Sequence, residues 1–131
     1  MSNVLNESAE NYLETILILS QKLPVVRSVD IANELGFKKS SVSVAMKNLR
    51  EKEHIKVDEQ GFIHLTPSGL EIANMIYERH TLLSSLLIHL CLPSNVAAAD
   101  ACKMEHVISK ESFEAQVAYR FEICLERHQS V

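Results

Sequence analysis

The sequence predicts a mainly α protein in which an N-terminal winged helix-turn-helix is followed by a helical second half. Three observations carry this. Apolar residues recur at helical spacing from residue 7 onward. Only three Gly and three Pro interrupt 131 residues, so long segments run without punctuation. The clearest departure from the helical pattern lies at residues 55–65, where apolar and polar residues alternate around a glycine. With 47% hydrophobic and 23% charged residues the composition is that of a folded globular chain, not a disordered one.

Residues 7–20 form an amphipathic helix, with Ala9, Tyr12, Leu13, Ile16 and Leu17 on the apolar stripe. Glu7, Glu10, Asn11 and Glu14 fall largely off it. Pro24 closes the connection, Ser28 is placed as the cap of a second helix, and Gly36 ends that helix. A third helix over residues 40–49 turns Val42, Ala45, Met46 and Leu49 inward. Lys38, Lys39, Ser40, Ser41, Ser43 and Lys47 lie outside that stripe. Two short helices around a Gly-containing turn, the second rich in Ser and Lys, make the helix-turn-helix pattern. Such a helix buries one face to be held firmly and offers small and cationic side chains to a DNA groove.

Residues 55–58 and 62–65 flank Glu59-Gln60-Gly61 and read as the two strands of a hairpin, the wing. Thr66 and Pro67 start a further helix as N-cap and first turn, running to about His80. Residues 81–91 are apolar nearly all round and predict a separate buried helix, for which a subunit interface is the natural place. Pro93-Ser94-Asn95 breaks the chain and caps a helix over residues 96–108. Ser109 caps the last one, whose stripe is Phe113, Val117, Phe121, Cys124 and Leu125. The domain division expected is 1–72 for the winged helix-turn-helix and 73–131 for the helical part.

The net charge of −4 is unusual for a nucleic-acid binder, but it conceals an asymmetry. Residues 27–58 hold seven basic side chains, beginning with Arg27, against five acidic ones, or +2; residues 71–131 hold five against eight, or −3. Phosphates respond to local charge, because salt screens the remainder within roughly 8–10 Å. The first twenty residues carry Glu7, Glu10 and Glu14 and no secretory pattern, and the apolar run 82–92 is too short and too polar to cross a bilayer. A cytoplasmic protein without a membrane partner is expected. Cys91, Cys102 and Cys124, irregularly spaced, are expected to be reduced thiols.

The strongest chemical signal is Cys102-Lys103-Met104-Glu105-His106. Positions i, i+3 and i+4 share a helix face, so Cys102, Glu105 and His106 can converge on one point. A thiolate, a carboxylate and an imidazole together suit a first-row transition ion better than magnesium or calcium. A nucleophilic enzyme also uses Cys with His, but here the two are one turn apart on one helix. No oxyanion-type turn, phosphate cradle or nucleotide fingerprint accompanies them, so no enzymatic activity is expected.

These features, in their order and spacing, resemble the DtxR/MntR family of metal-dependent transcriptional repressors. The matching fragments are Glu10-Asn11-Tyr12-Leu13-Glu14-Thr15-Ile16, Val29-Asp30-Ile31-Ala32, Leu65-Thr66-Pro67-Ser68-Gly69, Arg79-His80 and Asp100-Ala101-Cys102-Lys103-Met104-Glu105-His106-Val107. The resemblance implies a homodimer that binds a palindromic double-stranded DNA operator when loaded with Mn²⁺ or Fe²⁺, with metal-uptake genes as targets. It also implies ligands. Iron-type members use the residues matching Asn11, Cys102, Glu105 and His106; manganese-type members use those matching Asn11, Glu14, His80, Cys102, Glu105 and His106. This chain departs at Asn11, where the family supplies Met or Asp, and an amide oxygen brings neither charge nor sulfur. Ser84 and Ala98 stand where the iron type needs ligands of a second site. Cys102 favours a softer ion such as iron, while the short build resembles the manganese branch, so both ions stay open. The alternative reading is a regulator of the same shape that is independent of metal or answers to another ligand.

Overall fold

The computed structural model describes residues 6–129, with side chains as far as Tyr119. Six helices and one hairpin follow in order: α1 (Glu7–Lys22), α2 (Ser28–Leu35), α3 (Lys39–Glu51), β1 (Ile55–Val57), β2 (Ile63–Leu65), α4 (Pro67–His89), α5 (Ser94–Met104) and α6 (Lys110–Gln129). The chain forms two compact units, the first ending at Tyr77 and the second beginning at Glu78.

In the first unit, α1 to α3 and the hairpin enclose one core. Asn6 caps α1, its Oδ1 accepting from the Ala9 amide at 2.8 Å. Leu13, Ile16, Ile31, Val42, Leu49 and Ile55 are fully or almost fully buried in that core. The predicted faces of α1 and α3 are the observed ones, with one correction. Glu14, read as lying off the stripe, is only 6% exposed. A second correction concerns the start of α2. The cap position is Arg27 rather than Ser28, and Asp30 does the capping, its Oδ2 accepting from the Arg27 amide at 2.9 Å. Gly36 ends α2 with φ +68°, a left-handed conformation that glycine adopts without strain.

The wing is antiparallel, with Ile55 opposite Leu65 and Val57 opposite Ile63. Its turn is organised by Asp58. One carboxylate oxygen accepts from the Gln60 and Phe62 amides at 2.9 Å each, and Gly61 takes the positive φ. The wing is fastened to the helices at two places. The Ile63 amide donates to the Val26 carbonyl at 2.8 Å, and the Thr66 hydroxyl donates to the Glu53 carbonyl at 2.7 Å. Thr66 also caps α4, accepting from the Gly69 amide at 3.2 Å.

The second half of the chain departs from expectation in helix boundaries. The helix expected to stop near His80 and the apolar one over residues 81–91 are one continuous helix, α4, since nothing around residue 80 breaks it. Leu82 and Leu83 are buried, but Ile88, Leu90 and Cys91 are exposed, so the run is not buried throughout within the single chain. The helix expected over 96–108 spans Ser94–Met104, with the turn 105–107 beyond its end. Ser109 caps α6 as expected, accepting from the Ser112 amide at 3.1 Å. Phe121, Cys124 and Leu125 of the predicted stripe lie outside the described side chains. Among the described residues no helix is long and apolar enough to cross a membrane.

Candidate metal centre and nucleic-acid interface

In the second unit, α4 supplies Arg79 and His80, the last turn of α5 supplies Cys102, and the following turn supplies Glu105 and His106. Although α5 ends at Met104, Glu105 keeps right-handed helical angles (φ −60°, ψ −26°). The i, i+3, i+4 convergence therefore survives the helix end. One ligand atom from each of Cys102, Glu105 and His106 lies within 4.8 Å of the others.

Glu105 is the centre of the cluster. Its side chain is fully buried, with Oε2 2.9 Å from His80 Nδ1 and Oε1 3.3 Å from His106 Nε2. The His106 side chain is 2% exposed, that of His80 32%. A carboxylate withdrawn from water is costly unless positive charge and hydrogen bonds replace its hydration. A sulfur, a carboxylate oxygen and an imidazole nitrogen gathered around it form a donor set that fits a first-row divalent ion. His80 stands against the same carboxylate, the place from which a further nitrogen ligand or an orienting hydrogen bond is supplied.

Arg79 escaped the sequence reading as a site residue. Its Nη1 donates to the Glu105 and Ile108 carbonyls at 3.2 Å each, and its guanidinium lies 5.5 Å from the centre of the Phe113 ring in α6. The signal available in the sequence was a basic residue directly before a candidate ligand; its reach across 26 and 29 residues was not. Of the other candidates, Asn11 and Glu14 belong to α1 in the first unit, Asn11 half-buried and Glu14 buried. Ser84 is half-buried and Ala98 exposed.

The first unit presents the second surface. Lys38, Lys39, Ser40, Ser41, Ser43 and Lys47 are all exposed, Lys38 at the cap position and the rest on α3. The N-terminal turn of α3 contains no acidic residue, so its exposed amides and its dipole favour a phosphate. Arg27 is exposed and its guanidinium lies 4.8 Å from the Phe62 ring centre, which fixes this cation beside the wing. Val44, apolar and so not among the candidates read from the sequence, is 61% exposed between Ser43 and Lys47. An exposed valine on such a helix is suited to the methyl group of thymine.

Comparison with known proteins finds two family models along the chain. Residues 4–64 match the family model described as iron dependent repressor, N-terminal DNA binding domain, and residues 66–119 match iron dependent repressor, metal binding and dimerisation domain. The transcriptional regulator MntR of Salmonella typhimurium is 31% identical over 113 residues, covering 86% of this chain and 72% of that protein. Among solved structures, T. acidophilum IdeR aligns with a TM-score of 0.74 at 26% identity, over 93% of this chain and 56% of its own. A manganese-dependent transcriptional repressor in complex with manganese aligns with a TM-score of 0.77 at 25% identity, over 85% and 51%. This chain thus spans about half the length of those two solved chains.

Proposed function

This chain belongs to the family of metal-dependent transcriptional repressors, and from that premise we propose that it is a homodimer whose grip on double-stranded DNA responds to Mn²⁺ or Fe²⁺. The observation that carries the reading is Glu105, fully buried between two imidazoles with the Cys102 sulfur nearby. Cys102, Glu105 and His106 would hold the ion, with His80 beside them. When bound, the ion supplies divalent positive charge to this carboxylate and a binding free energy that favours the DNA-binding form. Family membership supports a regulatory rather than a catalytic role. The names of the relatives support manganese and iron as the ions.

On the first unit, Lys38, Lys39 and Lys47 neutralise phosphates, while Ser40, Ser41 and Ser43 are short enough to let the α3 backbone enter the major groove. Arg27 reaches the backbone beside the wing. Dimerisation is supported by the exposed apolar residues of the second half, including Ile88, Leu90, Leu92, Val96, Val107 and Val117. Two copies would read the halves of a palindrome.

Anaerobic metal titration with elemental analysis tests the centre. The wild-type chain is expected to retain Mn²⁺ or Fe²⁺ in stoichiometric amount. Cys102→Ala and His106→Ala should each lose roughly 10–100-fold in affinity or more, since these are direct ligands and outer partners alone cost that much. The ligand roles implied for Asn11 and Glu14 rest on the family resemblance and are tested by Asn11→Ala and Glu14→Gln in the same titration. Asn11, an amide at a position where charge or sulfur is expected, favours a second reading, a regulator of the same shape that needs no metal. That reading predicts no metal retained by any variant.

A further inference from the structure

Residue 105 is gripped twice by neighbouring residues of one helix. His80 meets its side chain, with Nδ1 2.9 Å from Oε2, and Arg79 donates to its backbone carbonyl at 3.2 Å. The same Arg79 nitrogen donates to the Ile108 carbonyl at 3.2 Å, so one guanidinium spans both ends of the turn 105–108. Lying 5.5 Å from the Phe113 ring centre, it also faces the first turns of α6. The hold adds to the turn's own backbone bonds. Past the end of α5 the Val107 and Ile108 amides donate to the Met104 carbonyl at 3.1 and 3.0 Å, and the turn carries Glu105 and His106.

We propose that Arg79 is the positioning residue of the metal centre, holding the 105–108 turn so that Glu105 and His106 face Cys102 before any cation arrives. The proposal rests on the metal-centre reading and adds to it a residue that touches no cation. Two features of Arg79 favour this over simple packing. Its Nε is buried without a hydrogen-bond partner among the described residues, a cost that an apolar side chain of the same volume would not carry. What an apolar side chain cannot do is donate to two carbonyls three residues apart. The two N–H bonds of one terminal guanidinium nitrogen can, and the ammonium of lysine, which also donates several bonds but ends one bond short of that nitrogen, replaces it only in part. A positive charge near a cation site also opposes metal binding electrostatically, so any loss of affinity on removing it reports geometry and not charge.

The test uses the full-length chain under anaerobic conditions with Co²⁺ as the probe, read by its thiolate charge-transfer and ligand-field bands. Arg79→Met is expected to weaken Co²⁺ binding about 10–100-fold, the range seen for residues that orient ligands. At saturating cobalt its thiolate band should be shifted or weakened. Arg79→Lys should recover part of both. Phe113→Leu removes the ring but leaves both hydrogen bonds, and should lower thermal stability while leaving the cobalt spectrum and affinity unchanged. Arg79→Met and Arg79→Lys matching wild type in spectrum and affinity overturn the proposal, as does Phe113→Leu altering them as much as Arg79→Met. If Arg79→Met fails to fold, Arg79→Lys decides, because its spectrum must then differ from wild type. Failure of the wild-type chain itself to bind Co²⁺ overturns the metal-centre reading instead.

Discussion

At Gly69 the protein has no room for a methyl group: a Cβ built there would overlap the backbone carbonyl of His54. This close approach seats the start of α4 against the corner between α3 and β1, so Gly69→Ala must push the wing away from the helices. Overpacking of this kind costs about 1–3 kcal/mol, and a lowered Tm should report it. The DNA face makes a different demand on single residues. Lys47 is exposed on α3, so Lys47→Ala should weaken duplex binding about equally for all sequences and reduce the slope of log K against log salt by about one per subunit, about two for the dimer. Val44 offers no charge to a phosphate. Val44→Ala should leave that slope unchanged and relax sequence preference by about 1 kcal/mol at a thymine-containing position. A uniform loss for Val44→Ala, or a sequence-selective one for Lys47→Ala, would reverse these assignments.

Among the elements, the wing depends on one exposed carboxylate. Hydrogen bonds from the Phe62 and Gln60 amides, together with the neighbouring His64, hold the Asp58 carboxyl below its ordinary value of 3.8. A group whose folded pKa is depressed contributes stability above its unfolded pKa and loses it as pH falls through the folded one. The wing turn should therefore loosen only below about pH 4, and Asp58→Asn should remove that step; amide exchange at Gln60 and Phe62 would follow it. The helix-turn-helix, the wing and the caps at Gly36, Thr66 and Ser109 were legible, because apolar periodicity and capping residues are local signals. Burial of Glu14 was not, since a carboxylate on a helix reads as solvated. The division of α4 near His80 was misread from a change in apolar pattern, which follows burial and not helix continuity. Arg79-His80-Thr81 contains nothing that ends a helix. The end of α5 at Met104 was equally silent, with neither Gly nor Pro near it, although the ligand convergence survived.

For the whole molecule, charge and apolar surface set the expectations. The chain is −4 overall while residues 27–58 are +2, so duplex binding should be confined to the helix-turn-helix face and should fall steeply with salt. Exposed Ile88 (49%) and Leu90 (71%) belong to a surface that a lone subunit would leave in water. Ile88→Asp combined with Leu90→Asp should shift the sedimentation coefficient from dimer to monomer and weaken operator binding; an unchanged dimer would place the interface elsewhere. The Cys102, Glu105 and His106 cluster was foreseeable from spacing. Its depth of burial and the hold of Arg79 on it were not, because both arise from contacts far apart in sequence. The most direct test of the account is the affinity of the chain for a duplex that it selects from a random-sequence pool in the presence of Mn²⁺ or Fe²⁺, measured again after chelation. Tight binding is expected, lost with chelator and absent in His106→Ala even when metal is added. Equal affinity in all three cases would contradict it.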